Sequence, residues 1–143
     1  KRQGGWWAMR KKSSSTSKVK LFKMNYGRVI NELKAYGKRC SQRGAKAVIL
    51  IGSLARGDYT AFSDADVIIV VPDSSFDVTS FMDSSLSVEV EPRTYTEEQL
   101  IDMARMGRRL IREIIDSGIV LYGDSSIMKK IKGSYKESTQ EQH

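Results

Sequence analysis

Two short apolar segments, residues 47–51 and 67–71, constrain the fold more than any other part of this sequence. Both are rich in branched aliphatic side chains, and both are bounded by turn residues. Segments this short do not form stable helices, and segments this uniformly apolar cannot face water on either side. We therefore predict two buried β-strands joined by residues 52–66.

The joining segment contains residues suited to a phosphorylated ligand and a cation. Gly52 allows a ligand to approach the backbone, and Ser53 stands where a short helix would begin, with N–H groups that bind phosphate. Arg56 adds a planar guanidinium group. Asp64 and Asp66 are two residues apart, so in a strand their carboxylates point the same way. Their mutual repulsion favours a divalent cation with oxygen ligands, Mg²⁺ first, and together these features indicate nucleoside triphosphate chemistry.

The order Gly52-Ser53, ten residues, then Asp64-Ala65-Asp66 resembles the signature of the minimal nucleotidyltransferases of the DNA polymerase β superfamily. The inner Gly-Ser-Leu-Ala-Arg-Gly and Ser-Asp-Ala-Asp segments match it as well, and the resemblance covers residues 25–123. The alternative, a strand–turn–strand whose aspartates cap loops, leaves the joint occurrence of these residues unexplained.

The resemblance implies an α/β (α+β) fold, with a small mixed β-sheet and packed helices, which is the polymerase β-like palm in its minimal form. It also implies roles for the residues of the joining segment. Asp64 and Asp66 would be catalytic and would bind the metal. Gly52, Ser53 and Arg56 would bind the nucleotide.

The superfamily uses a third carboxylate on a strand after the Asp-x-Asp pair. Residues 86–91 alternate strictly, which predicts a third strand with Val88 and Val90 facing inward. By resemblance, Glu89 is the third catalytic and metal-binding carboxylate, although the superfamily uses aspartate there more often. A register shift of one pair would place Glu91 there instead. A third interpretation is that both glutamates are solvated on an edge strand.

The remaining elements follow from periodicity and capping residues. An amphipathic helix is predicted over residues 25–42, and a loop or one short helix over residues 73–84. A capping box formed by Thr96 and Gln99 begins a helix that should run to about Ser117. A last short strand is predicted over residues 119–123.

Composition indicates one soluble domain. The hydrophobic fraction of 40% and the charged fraction of 29% are ordinary, and no run of eighteen apolar residues is present, so no membrane partner is expected. The single Cys40 cannot form an internal disulfide, and with one histidine in the chain a zinc site is not expected. These features favour the cytoplasm.

The net charge of +7 belongs to one end of the chain. Eight positive charges and no acid lie in residues 1–23, which leaves −1 for residues 24–143. We predict a basic disordered tail over 1–23, either native or added, which suggests nucleic-acid binding only weakly. The nucleotidyltransferase domain is predicted over 24–123, and a polar, frayed tail over 124–143.

The resemblance implies that the chain transfers a nucleoside monophosphate, AMP from ATP first, to a hydroxyl acceptor with the help of two Mg²⁺ ions. A chain of this length lacks the domains that grip nucleic acid in larger relatives. A small helical HEPN-type protein is therefore the expected acceptor and partner, with this chain as the antitoxin half of a toxin–antitoxin pair. One alternative is a small-molecule enzyme similar to aminoglycoside nucleotidyltransferases. The other is a non-catalytic interaction module, against which the paired acids argue.

Overall fold

The computed structural model of the chain describes residues 26–141. Within these residues, five α-helices and four strands follow one another. Their bounds in chain order are α1 (Tyr26–Gln42), β1 (Ala47–Ile51), α2 (Ser53–Arg56), β2 (Ala65–Val71), β3 (Val90–Thr96), α3 (Glu97–Arg105), α4 (Arg109–Ser117), β4 (Ile119–Tyr122) and α5 (Ser126–Glu141). A short 3₁₀ helix, Val78–Phe81, lies between β2 and β3.

The four strands form one mixed sheet in the order β3-β2-β1-β4. β1 runs antiparallel to both β2 and β4, whereas β2 and β3 are parallel. The predicted small mixed sheet is therefore confirmed, as are the strands predicted from the two apolar segments. β2 extends back to Ala65, so the second predicted aspartate lies inside the strand.

Helices cover both faces of the sheet, so the core has two halves. Side chains of β1 alternate between these halves: Val48 and Leu50 face α1, while Ile49 and Ile51 face α3, α4 and α5. Every residue of β1 is buried, as a central strand between two helical layers requires. The predicted amphipathic helix is confirmed as α1.

The third strand begins near the point where the sequence predicted its end. Residues 84–88 are bent, and β3 runs from Val90 through Pro92 to Thr96. Alternation over residues 86–91 therefore located the strand wrongly, although Val90 is buried as expected. Proline lacks the N–H that a central strand needs, but β3 is an edge strand, where this loss is tolerated.

The helix predicted between Thr96 and Ser117 is divided in two. The capping box is present, because Thr96 Oγ1 accepts from the Gln99 N–H at 3.1 Å and Gln99 Oε1 accepts from the Thr96 N–H at 2.8 Å. Gly107, which lies inside the single helix predicted from the sequence, instead adopts a φ of +66° between α3 and α4. A glycine in this left-handed conformation ends a helix.

The segment over residues 124–143 is not a frayed tail where the structure describes it. Residues 126–141 form α5, and Ile127 and Ile131 are buried against α3 and α4. Two isoleucines one helical turn apart are a short apolar stripe that the polar composition around them obscured. This helix therefore packs onto the domain predicted to end at residue 123.

Two further expectations concern a membrane-spanning helix and the basic tail. No helix within residues 26–141 has both the length and the apolar character needed to cross a bilayer. The basic tail predicted over residues 1–23 lies outside the described residues.

Candidate active site

The turn after β1 brings a glycine against a carboxylate. Gly52 adopts φ +82° and ψ −161°, a region that residues with a side chain almost never occupy. A Cβ atom at this position would lie 2.6 Å from Asp66 Oδ2. The sheet register pairs the preceding Ile51 with Asp66. The glycine-serine turn and the second aspartate therefore meet at one edge of the sheet.

A hydrogen-bonded loop connects this turn to the aspartate pair. The carbonyl of Gly52 accepts from the N–H of Arg56 at 2.9 Å, which begins the short helix predicted after the turn. Ser53 Oγ donates to Ser63 Oγ at 3.0 Å, and that oxygen also accepts from the Thr60 N–H at 2.8 Å. Because Ser63 directly precedes Asp64, these bonds fix the start of β2 relative to the turn.

Asp66 lies in an environment that disfavours its charged form. Burial raises the pKa of the Asp66 carboxyl above its ordinary value, and the negative charges of Glu113 and Asp64 act in the same direction. The Arg93 guanidinium and a hydrogen bond with Glu91 oppose this shift of the pKa. Such a carboxylate gains from a nearby cation.

Glu91, rather than Glu89, lies beside Asp66. The parallel register pairs Glu91 with Asp66, so the two side chains project from the same face of the sheet. Glu89 precedes β3, and its backbone carbonyl accepts from the Ala65 N–H at 2.8 Å. Glu89 and Asp64 instead line a pocket of about 350 Å³ near α1. The preference for Glu89 relied on a strand over residues 86–91, and the later start of β3 shifts the register to the alternative residue.

The donor set suits a hard cation, although it is not a closed cage. Asp64, Asp66 and Glu91 offer carboxylate oxygens, which Mg²⁺ prefers to nitrogen or sulfur. Within residues 26–141, no three His, Cys, Asp or Glu side chains converge tightly enough to form a complete metal site. Mg²⁺ commonly keeps several waters and takes ligands from a substrate phosphate, so two or three protein carboxylates are sufficient.

Glu113 is a site residue to which the sequence assigned no role. Its Oε2 atom accepts from the Gly52 N–H at 3.1 Å and from Arg56 Nη1 at 3.0 Å. These are two of the donors predicted to bind phosphate. Arg56 Nε also contacts Asp58 Oδ2 at 3.3 Å.

Local patterns could not identify this contact. Glu113 lies on α4, 61 residues from Gly52 along the chain. The sequence placed Glu113 only within the helix predicted to run from Thr96 to about Ser117. That prediction gave the glutamate a position on a helix but no partner.

Comparison with known proteins yields a matching family and several solved structures of similar fold. The profile of the family described as "Polymerase beta, Nucleotidyltransferase" matches residues 31–127. A toxin-antitoxin crystal structure with AMP-PNP is 17% identical, covers 68% of this chain and 77% of its own, and has a TM-score of 0.50. A mutant of the toxin-antitoxin MntA-HpeT is 14% identical, with coverages of 79% and 89% and a TM-score of 0.54. No curated protein matches the chain. At these identities, the two structures establish a shared fold only.

Replacing Gly52 with alanine should destabilise the domain more than the same change at Gly57. Both glycines have positive φ, but only at Gly52 does the new Cβ meet another group. We expect Gly57→Ala to lower the free energy of unfolding by about 1 kcal/mol, and Gly52→Ala by about 2–4 kcal/mol. Urea denaturation followed by circular dichroism measures both values. Equal losses would show that Asp66 does not press on the turn.

The pH dependence of stability should reveal the raised pKa of Asp66. Because the folded-state pKa lies above the unfolded one, folding penalises the charged carboxyl, and the penalty is absent below the unfolded pKa. Asp66→Asn should therefore raise the melting temperature at pH 7, and the gain should vanish below about pH 4. Thermal unfolding from pH 3 to 8 tests this. Asp102→Asn, on the exposed face of α3, should show no such gain.

Proposed function

Because this chain belongs to the polymerase beta nucleotidyltransferase family, we propose that it transfers AMP from ATP to a hydroxyl group on a partner protein. The observation that carries this proposal is the approach of the Gly52 turn to the Asp66 carboxyl, with Glu91 next to it in register. Phosphate donors and carboxylates must be adjacent for a cation to bridge protein and nucleotide.

The triphosphate would lie over Gly52, Ser53 and Arg56. Support comes from the Gly52 N–H and Arg56 Nη1, which converge on one carboxylate oxygen of Glu113. Two donors that share one anionic oxygen can equally share a phosphate oxygen. One of the structures with the same fold contains AMP-PNP, which makes ATP the natural first choice of nucleotide.

Asp64, Asp66 and Glu91 would hold Mg²⁺, and two ions are the number that we propose. Bound there, the metal would neutralise charge on the phosphates and on the entering and leaving oxygens. The Asp66 environment fits this role, because its burial and its acidic neighbours disfavour an unaccompanied charge. The mutant toxin-antitoxin structure carries two aspartate-to-glutamate changes two residues apart, the spacing of Asp64 and Asp66.

The transfer would be a single in-line displacement. The acceptor oxygen forms a bond to the α-phosphorus while the bond from that phosphorus to the β-phosphate oxygen breaks, and its electron pair leaves with pyrophosphate. The hydroxyl proton passes to Glu91, which we place at the third carboxylate position. The protein otherwise positions the groups and stabilises charge, so no covalent enzyme intermediate is required.

The acceptor that we favour is a small helical HEPN-type protein, the toxin of a toxin–antitoxin pair. Both structures with the same fold are toxin-antitoxin proteins, which supports a protein partner. The carboxylates lie at an open sheet edge, so a partner surface could approach them. We place the reaction in the cytoplasm, where the buried free thiol of Cys40 would stay reduced.

Nucleotide labelling of the partner tests the proposal. The chain should be incubated with Mg²⁺, ATP and the small helical protein encoded beside it, and each protein should then be weighed intact by mass spectrometry. We expect one AMP added to the partner and none after chelation with EDTA. Labelling of an aminoglycoside alone would favour the small-molecule enzyme. Absence of Mg²⁺-dependent ATP binding would leave only an interaction module.

Two matched substitutions separate the candidates for the third carboxylate. Glu91→Gln should reduce labelling by about 100-fold or more, because it removes a charge next to Asp66. Glu89→Gln should leave labelling within about threefold, since Glu89 lies before β3 and the register pairs Asp66 with Glu91 instead. Initial rates at saturating ATP measure both effects. The opposite ranking would return the third position to Glu89.

A further inference from the structure

A groove beside the Gly52 turn contains three arginines. It has a volume of about 520 Å³ and is lined by Arg56, Arg109, Arg112, Glu113, Asp116 and Ser117. Arg56 ends α2, and the other five residues belong to α4. Three guanidinium groups face two carboxylates, so the groove has a surplus of one positive charge. A surface of this kind attracts anions.

The arginines on α4 are only weakly paired within the described residues. Arg112 Nε lies 3.8 Å from Asp116 Oδ2, and both side chains are mostly exposed. No ion pair within residues 26–141 involves Arg109. Exposed pairs contribute little to stability, so an arriving anion could engage these groups at small energetic loss. Guanidinium groups suit phosphate because they can donate two parallel hydrogen bonds.

Glu113 connects this groove with the turn. Its Oε2 atom is shared by the Gly52 N–H and by Arg56, while the same residue lines the groove. The Arg56–Glu113 pair is tighter than the Arg112–Asp116 pair, at 3.0 Å against 3.8 Å. A phosphate that approaches these two donors must therefore compete with a carboxylate that already satisfies them.

We propose that the groove is an anion subsite for the terminal phosphates of the nucleotide and for the pyrophosphate product, and that Glu113 competes with those phosphates for Gly52 and Arg56. The inference rests on the proposed function. The ligand class follows from the surplus positive charge and from continuity with the turn, since Arg56 belongs to both. Arg109 and Arg112 then hold phosphates that extend beyond the turn.

The helix offers the displaced carboxylate another partner. Arg109 lies four residues before Glu113 on α4, which places the two side chains on one helical face. When a phosphate oxygen takes its place on Gly52, Glu113 can therefore pair with part of the Arg109 guanidinium, whose remaining N–H donors stay available to a phosphate. During transfer, the electron pair of the broken bond goes to the pyrophosphate, and the two α4 arginines stabilise the added negative charge.

Calorimetric titration of the full chain with pyrophosphate, ATP and AMP tests the subsite. Arg109→Gln and Arg112→Gln should each weaken pyrophosphate binding by about 3- to 10-fold and leave AMP binding within about twofold. Arg105→Gln is the control, because Arg105 lies on α3, pairs with Asp102 and does not line the groove. It should leave the affinity for all three ligands unchanged.

A second pair of substitutions tests the competition. Glu113→Gln should strengthen pyrophosphate binding by about 5- to 20-fold at low salt, because it weakens the internal acceptor. Asp116→Asn removes the same charge from the same groove but contacts neither donor, and should change binding by at most about twofold. Circular dichroism confirms that each variant folds.

Each outcome bears on one claim. Equal gains from Glu113→Gln and Asp116→Asn would overturn the competition, since only groove charge would then matter. Pyrophosphate binding unaffected by Arg109→Gln and Arg112→Gln would overturn the subsite, as would equal losses for AMP and pyrophosphate. If the unmodified chain binds neither ATP nor pyrophosphate, the proposed function fails and the subsite fails with it. If the unmodified chain binds ATP, but Arg109→Gln and Arg112→Gln leave pyrophosphate affinity unchanged as Arg105→Gln does, the subsite fails and the proposed function stands.

Discussion

The close approach of the Gly52 backbone to the Asp66 carboxyl is the contact on which the site depends. A side chain at position 52 would meet Asp66 Oδ2 at 2.6 Å, and the φ of +82° admits little besides glycine. The contact puts backbone N–H donors next to a carboxylate. These two kinds of group prefer ions of opposite charge. N–H donors favour anions and carboxylates favour cations, so a ligand made of a metal ion and a phosphate would satisfy both groups where neither ion alone would.

The charges around this contact compensate one another only in part. Asp66 has acidic neighbours in Asp64 and Glu113, and Arg93 compensates only in part, since burial still raises the pKa of Asp66. Glu113 in turn satisfies Gly52 and Arg56. Each internal partner therefore stands where a component of the substrate could replace it, which keeps the polar groups satisfied while leaving them exchangeable.

Short-range sequence patterns predicted much of the fold. Features that depend on contacts between residues far apart in the sequence were not predicted. The strands β1 and β2, the helix α1 and the capping box at Thr96 followed from short-range patterns and are confirmed. The predicted start of β3 was wrong because an alternating pattern does not determine how a strand pairs with its neighbour. The helix α5 was missed because only tertiary packing buries Ile131. For the site, the sequence predicted that the turn lies next to the aspartates, and the structure shows this adjacency for Gly52 and Asp66, while the roles of these residues stay predictions. Which β3 residue lies beside Asp66 depends on the strand register. The contact of Glu113 with Gly52 joins residues 61 positions apart in the sequence, so no local pattern could predict it.

The mixed topology explains why this edge of the sheet can hold the site. β1 is antiparallel to β2, so the end of β1 lies beside the start of β2, where Asp66 stands. β2 is parallel to β3, so β3 also starts at this edge and brings Glu91 with it. An antiparallel β3 of the same seven residues would place Glu91 opposite Val70, about 13 Å from Asp66 at about 3.3 Å per residue. The crossover between β2 and β3, which contains a short 3₁₀ helix and no α-helix, therefore lets both strands start at the same edge and brings Glu91 beside Asp66.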